Sequence, residues 1–416
     1  MKIHHATCRF INRPLVRTFG FKGGSANYVR AVEVEIHAEG MKAIGESTQG
    51  ALWSDSVLHE RLGEGATNET MYDVTKHVCN SLEGMEFDTP EGIFDHLYDV
   101  AARHAQYILA YNPRKAFILN ALVPVDNALR MLYAKKKNDL TFETFASVKG
   151  LTDIKEERLG LIPLINYNTS EHEIRRLADE GVFNFKIKIG ANPDNDNNRD
   201  KMVEADKERV EEIHNILKDY KTPHTQNGKL AYFLDANGRY DSKYRLRELL
   251  NFTKSINAFE QIALLEEPFD ETNNLTVDTF GVSVAADESL HDEKDALRKI
   301  ELGYSVFVVK PIARTITVTN KIVKLALENN IRMFCGDLTV TPMLVEINKN
   351  YAARLPKLKG INTGIVESNG PQNLVDWKDM TQEHPLKDSN FTKVTDGVFE
   401  LDQEFYETAG GIFLKY

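Results

Sequence analysis

From about residue 161 the chain repeats one unit, a short apolar run followed by an amphipathic segment, and this rhythm limits its possible folds more than any other feature. Eight runs can be counted, at 161–166, 183–189, 230–235, 262–266, 283–287, 305–310, 331–335 and 360–363. Helical candidates at 171–180, 205–218, 243–255, 293–301, 317–329 and 342–353 separate most of them, and the segment before Ser283 is short. Strands that alternate with helices build parallel sheets, because a parallel connection needs a crossover. Two such architectures suit the pattern, a (β/α)8 barrel and a doubly wound open sheet. The count of eight favours the barrel.

The first 150 residues have a different texture. An apolar alternation at 30–36 predicts a strand, and helical periodicity runs over 67–82 and 113–137, an α+β mixture. After about His384 the tail reads as short strands and turns that pack on this first unit. The expected organisation is therefore an α+β capping domain over 1–150, completed by 385–416, and a barrel over 155–384. The glycine-rich stretch 19–26 lacks a Walker spacing and a strand-to-helix setting, so it reads as a mobile surface loop rather than a phosphate cradle.

Composition narrows the partners. A net charge of −11 opposes nucleic acid and anionic membranes, since binders of phosphate backbones need a basic face. The most apolar stretch, 116–134, is interrupted by Asn120, Pro124, Asp126, Asn127 and Arg130, so no membrane span is expected. The N-terminus has no apolar signal core. Three cysteines, at 8, 79 and 335, are too few and too scattered for a disulfide framework or a cysteine-based zinc site, which suits a reducing cytoplasm.

The acidic residues fall where a barrel places its chemistry. Asp235 ends the third run, Glu266 the fourth and Asp287 the fifth. In a parallel barrel these carboxyl ends share one rim, so the three acids converge. Singly, each reads as an ordinary turn, strand exit or helix entry. Three in register repel one another unless a cation sits among them, and hard oxygen ligands in that number suit Mg2+.

Lysines complete the pattern. Alternation in 183–190 puts Phe183, Phe185, Ile187 and Ile189 on the helix-packing face and Lys186 and Lys188 on the barrel interior. Lys310 closes the sixth run, across the rim from the second. A lysine beside other cations becomes a usable base, and a metal-held carboxylate has an acidified α-proton. The pattern therefore predicts Lys188 as base, with Lys186 as a neighbouring cation that tunes it.

Lys186-Ile-Lys188, Asp235-Ala-Asn237, Glu266-Glu-Pro268, Ala286-Asp-Glu-Ser289 and Val309-Lys-Pro311 occur in this order. In these motifs the chain resembles the enolase superfamily, in its mandelate racemase/muconate lactonizing enzyme subgroup. The pairing of a lysine base with Mg2+ is itself a known pattern of that superfamily. The resemblance implies a cap over the barrel mouth, Mg2+ on Asp235, Glu266 and Asp287, and Lys188 and Lys310 as acid and base on opposite faces of a carboxylate substrate. It likens 123–135 to the helix that closes the cap, and it brings 17–27 and 46–55 to the substrate. Arg17, Phe19, Lys22 and Trp53, with Phe21, then suggest an anionic substrate with an apolar part. Asn237, Asp337 and Glu367 are further substrate-binding candidates at strand ends.

Two departures bear on activity. The segment between Lys188 and Asp235 is longer than the family pattern, with an insertion expected near 192–200 or 222–228. The eighth-strand region, 360–368, lacks the Asp-x-Asp of dipeptide epimerases, and no His follows the seventh strand as in the mandelate racemase type. The expectation is a Mg2+-dependent enzyme that forms an enolate by removing the proton α to a carboxylate, a racemase or epimerase working as a homo-oligomer. The alternatives are β-elimination or cycloisomerisation at the same site, as in o-succinylbenzoate synthase or muconate cycloisomerase, and a barrel that binds metal and ligand without turnover.

Overall fold

The computed structural model describes residues 1–21, 24–148 and 153–415. The chain opens with a three-stranded antiparallel sheet, β1 (Ile3–Phe21), β2 (Gly24–Ala38) and β3 (Met41–Gln49). In β2 the side chains of Val32, Val34, Ile36 and Ala38 are buried, while Glu33, Glu35 and His37 alternate outward. The buried face packs on the helices Glu64–Ser81 and Lys115–Lys137. Gly45 marks the closest approach: a Cβ there would stand 2.1 Å from the Pro124 carbonyl oxygen and 2.3 Å from the Ala128 nitrogen, so no larger residue fits against that helix.

The polar residues that interrupt 116–134 explain themselves here. Asn120 accepts from the Gly50 N–H at 2.8 Å, and Asn127 donates to the Glu46 carbonyl at 2.9 Å, which fixes the exit of β3. On the other side, Asp126 accepts from the Ile316 N–H at 2.9 Å and the Thr317 hydroxyl at 2.7 Å. One helix thus ties the sheet to the rest of the molecule through hydrogen bonds that a uniformly apolar helix could not make.

The remainder is a closed β/α barrel. Its parallel strands are β4 (Arg158–Ile162), β5 (Leu164–Ile165), β6 (Asn184–Lys188), β7 (Ala231–Asp235), β8 (Ile262–Glu266), β9 (Ser283–Ala286), β10 (Val306–Val309), β11 (Arg332–Cys335) and β12 (Gly364–Glu367). The hydrogen-bonded order runs from β4 through β12, β11, β10, β9, β8, β7 and β6 to β5. Because β5 continues β4 past Pro163, the two ends of that order are one strand and the ring closes on eight. The Pro163 carbonyl accepts from the Lys186 N–H across the seam. The connecting helices begin where capping residues dictate: Ser170, Asn198, Ser242 and Asp292 each accept a backbone N–H of the first turn.

The barrel forms as the alternation predicts, and the local expectations within and outside it need several corrections. The eighth strand is Gly364–Glu367 rather than 360–363, and those four residues form the turn before it. The described residues of 19–26 are no free loop, since Phe19, Gly20 and Phe21 pair with Ala26, Ser25 and Gly24 where β1 meets β2, and residues 22 and 23 lie outside the described residues. The long β1 and the helix Pro90–Leu109 were not anticipated. Between Lys188 and Asp235, the helix starts at Arg199, six residues earlier than expected. The stretch 222–228 lies at the opposite end of the barrel from the mouth, where Thr225 bridges to Ile361 and the Gln226 N–H donates to Gly360.

The tail adds the hairpin β13 (Val394–Thr395) and β14 (Val398–Glu400) antiparallel to β4. It then reaches the N-terminal unit, with the Phe413 ring 6.0 Å from that of Phe145 and Lys415 3.3 Å from Glu46. No helix among the described residues is long and apolar enough to cross a membrane.

Candidate active site

Register builds the site. Lys188 of β6 pairs with Asp235 of β7, which pairs with Glu266 of β8, so three ionisable side chains occupy one row at the strand ends. Asp287 follows β9 directly and Lys310 follows β10. Since β6 and β10 are four strands apart in a ring of eight, Lys188 and Lys310 enter from opposite sides.

All five groups, with Lys186, are buried under the cap. Lys188 Nζ donates to Asp235 Oδ2 at 2.7 Å and to Asn237 Oδ1 at 2.5 Å. Lys186 Nζ lies 2.7 Å from Glu266 Oε1, 3.2 Å from Glu367 Oε2 and 3.3 Å from Asp235 Oδ2. Lys310 Nζ lies 2.6 Å from Asp287 Oδ2, and a Cβ at residue 336 would come within 2.6 Å of its Cε, so Gly336 leaves room for the side chain.

Burial and charge pull the acids apart. Burial pushes the Glu266 carboxyl well above the ordinary range, and the nearby Asp235 and Asp287 charges add to it. Burial also opposes ionisation of Asp235 and Asp287, but Lys188 and Lys186 hold the first below its usual value, and Lys310 and Arg314 the second. Burial works against the Lys186 ammonium as well, yet Glu266, Glu367 and Asp235 outweigh it and hold that pKa well above normal. Lys186 is therefore a fixed cation in this arrangement.

Among the described residues no three acids are already spaced as metal ligands. The donor set nonetheless suits a divalent cation. Glu266 Oε2 and Glu288 Oε2 are buried oxygens without a hydrogen-bond partner, and the like-charge repulsion on Glu266 is what a cation would relieve.

Over the strand ends lies a cavity of about 780 Å3, counting its open mouth. The hairpin supplies Phe19 and Phe21, and the turn after β3 supplies Leu52 and Trp53. Trp53 stacks over Lys310 Nζ at 4.7 Å from the ring centre, and Phe21 faces Lys188 Nζ at 5.8 Å. Asn237, Asp337 and Glu367 line the cavity too. Arg17 does not: its guanidinium reaches outward to Glu173 at 3.3 Å. Lys22 lies outside the described residues.

The sequence model of the enolase C-terminal domain-like family matches residues 170–397. The chain belongs to that family. It is the superfamily that the lysine and carboxylate motifs resemble. No curated protein matches the sequence. Solved structures that share the fold include three relatives. A dipeptide epimerase from Enterococcus faecalis V583, complexed with Mg and L-Leu-L-Tyr, has TM-score 0.65 and 19% identity, over 90% of this chain and 92% of that one. A mandelate racemase/muconate lactonizing protein from Herpetosiphon aurantiacus has TM-score 0.65 and 16% identity, over 96% of each chain. A muconate lactonizing enzyme from Pseudomonas fluorescens, complexed with muconolactone, has TM-score 0.65 and 17% identity, over 96% of this chain and 94% of that one. At these identities the likeness is one of fold.

Around the enolase-family strand ends, Glu267 and Arg314 are residues that sequence reasoning passed over, and Asn237 is one it named without its partners. Glu267, at a left-handed φ of 36°, turns its carboxylate back to accept from the Asp287 N–H at 2.6 Å and the Ser289 hydroxyl at 2.9 Å. Asn237, at φ 44°, bridges Lys188 to Glu288 by donating to Glu288 Oε1 at 2.8 Å. Arg314, 1% exposed, donates to Asp287 Oδ1 at 3.1 Å and to the Asp287 carbonyl. One signal for it was available, namely a second basic residue four positions after Lys310 in the mostly apolar stretch 306–318.

Proposed function

We propose that this cavity binds a carboxylate and exchanges the proton α to it, as a racemase or epimerase. One observation carries the reading: two lysines from opposite sides of the ring, each hydrogen-bonded to a different buried acid and each faced by an aromatic ring of the cap. In this reading Asp235, Glu266 and Asp287 hold Mg2+ in exchange for their ammonium contacts. The ion, when bound, supplies charge stabilisation for the substrate carboxylate. Lys188 removes the proton from one face, and Lys310 delivers one to the other. Asn237 orients Lys188 through its 2.5 Å hydrogen bond, and Lys186 keeps a positive charge beside the carboxylate. Phe21 and Trp53 keep water from the amines, which raises the strength of every charge interaction inside. That relatives of this fold are complexed with Mg and a dipeptide, or with muconolactone, supports a small carboxylate as ligand. The three cysteines are free thiols, in keeping with a reducing cytoplasm.

A second reading has its own support. Arg314 shares Asp287 with Lys310 and stacks 5.1 Å from Trp53, a setting in which Lys310 can serve as a standing cation rather than a second base. The site would then catalyse β-elimination or cycloisomerisation. Exchange of solvent deuterium into a library of carboxylates decides between them. Two-base chemistry predicts exchange that falls by at least ~100-fold with either Lys188→Ala or Lys310→Ala, and that stops in EDTA and returns with Mg2+. Loss with Lys188→Ala alone supports the second reading. Exchange that survives chelation, or that is indifferent to both lysines, overturns the proposal.

A further inference from the structure

The cap side and the barrel side of the cavity differ in kind. The cap side presents mainly apolar groups, Leu15, Phe19, Phe21, Leu52 and Trp53, with His59 among its few polar ones, joined by Leu338 from the loop after β11. The barrel side presents five carboxylates, those of Asp235, Asp287, Glu288, Asp337 and Glu367, against the three amines of Lys186, Lys188 and Lys310. Each amine is already committed to an acid at the strand ends. Arg17, the arginine nearest the hairpin tip among the described residues, is paired with Glu173 outside the lining.

A ligand placed here meets cations at one end only. Its reacting carboxylate sits among the lysines, and whatever extends toward the cap meets hydrocarbon and aromatic rings with acids beside them. A second anionic group at that end would leave water, lie near Asp337 and Glu288, and find no described lysine or arginine, while the His59 Nε2 is engaged by the Ser25 carbonyl. An apolar group would replace water on a surface that gains by losing it. The burial that raises the Asp337 carboxyl to about 6, with Glu367 adding to it, shows how little charge this wall tolerates. The Trp53 indole N–H, the His59 Nδ1 and the Gln49 Oε1 are buried without partners, so the cap retains polar atoms able to meet a neutral polar group.

We infer that the substrate is a monocarboxylate whose remainder is uncharged and apolar, a branched alkyl or aryl group seated against Phe19, Leu52, Trp53 and Leu338. This rests on the carboxylate reading above and adds to it the class of the distal group. Phe19 and Leu52 are then the residues that set specificity, since they belong to the two cap segments and take no part in the proton transfers.

The test uses the intact protein with Mg2+ and follows deuterium exchange by mass spectrometry. Three sets of 2-substituted carboxylates of equal length are compared, ending in an aryl or branched alkyl group, a second carboxylate, or an amine. The apolar set is expected to exchange at least ~10-fold faster than either charged set, the scale on which an apolar pocket discriminates. Phe19→Arg, a change on a half-exposed hairpin position, is expected to close most of that gap by accelerating the dicarboxylates. Dicarboxylates exchanging fastest in the native protein, above all if Lys22→Ala abolishes the advantage, would overturn the inference. If no carboxylate exchanges at all, the proton-transfer reading fails, and the distal class is decided by ligand-induced shifts of Tm with the same three sets. A larger shift with the apolar set upholds it, and an equal or larger shift with the dicarboxylates refutes it.

Discussion

Arg314 shows how much a single side chain adds beyond the motif residues. Asp287 receives Lys310 on Oδ2 and Arg314 on Oδ1, so if Lys310 moves to act on substrate, one oxygen is freed while the other stays anchored. Groups that orient metal ligands in this way are typically worth 10- to 100-fold in metal affinity. Arg314→Met is therefore expected to weaken Mg2+ binding by about 10- to 100-fold, measured by calorimetric titration, with Arg314→Lys recovering part of the loss. Unchanged affinity in a folded Arg314→Met protein would reduce the residue to a space-filler under Trp53. Lys188, Asp235, Glu266, Asp287 and Lys310 were legible in the sequence because strand alternation and strand ends are local patterns. Arg314, Glu267 and Glu288 were not, because what each touches depends on which strand lies next to its own, or on a positive φ that turns it back.

At the level of elements, the segment after β6 has a structural task at its far end. The helix Arg199–Leu217 carries Asp206, fully buried, whose carboxylate accepts from the Gly190 and Ala191 N–H groups at 2.7 and 3.0 Å and from the Tyr240 hydroxyl at 2.7 Å. It thereby fixes the exit of the strand that bears Lys186 and Lys188. Burial pushes the Asp206 carboxyl up to about 6 despite those donors. A carboxyl whose folded pKa exceeds its unfolded one binds its proton more tightly in the native chain. It favours the fold most in acid, and that contribution is lost as pH rises through about 6. The stability gap between the native protein and Asp206→Asn should therefore narrow by about 2 kcal/mol between pH 4 and 7, followed by urea unfolding at each pH. A gap independent of pH would mean that Asp206 stays ionised throughout. Two elements went unread for different reasons. In β1 the residues from Arg9 to Asn12 are exposed, so the strand has little alternation to reveal it and owes its form to pairing with β2. The helix Pro90–Leu109 did carry its signals, a Thr89 cap with Pro90 at its first turn and Ile93, Leu97, Ala101 and Ala105 at helical spacing.

For the molecule as a whole, the decisive contact is the one that docks the cap on the barrel. Arg130, fully buried, joins Asp126 at 3.1 Å, Glu91 at 2.7 Å and the Thr317 hydroxyl at 2.7 Å. Removing one partner of a buried ionic network leaves the others uncompensated, at a cost of about 3–5 kcal/mol. Arg130→Met should lower unfolding stability by that amount in urea titrations, and it should cut exchange activity further than stability alone explains, because the hairpin and Trp53 ride on the cap. Full activity with a loosened cap would show that the barrel rim suffices. The amino-acid order alone determined the eight-unit barrel and the rim chemistry, since period-two strands, capped helices and acids at strand ends are short-range facts carried by neighbouring residues. Only the folded chain decided where β1 lies, which cap residues reach the cavity, that Arg17 is spent on Glu173, and that Asp287 answers to two cations. Those facts join residues more than a hundred positions apart or depend on which strands are neighbours, and packing, not local pattern, chooses such partners.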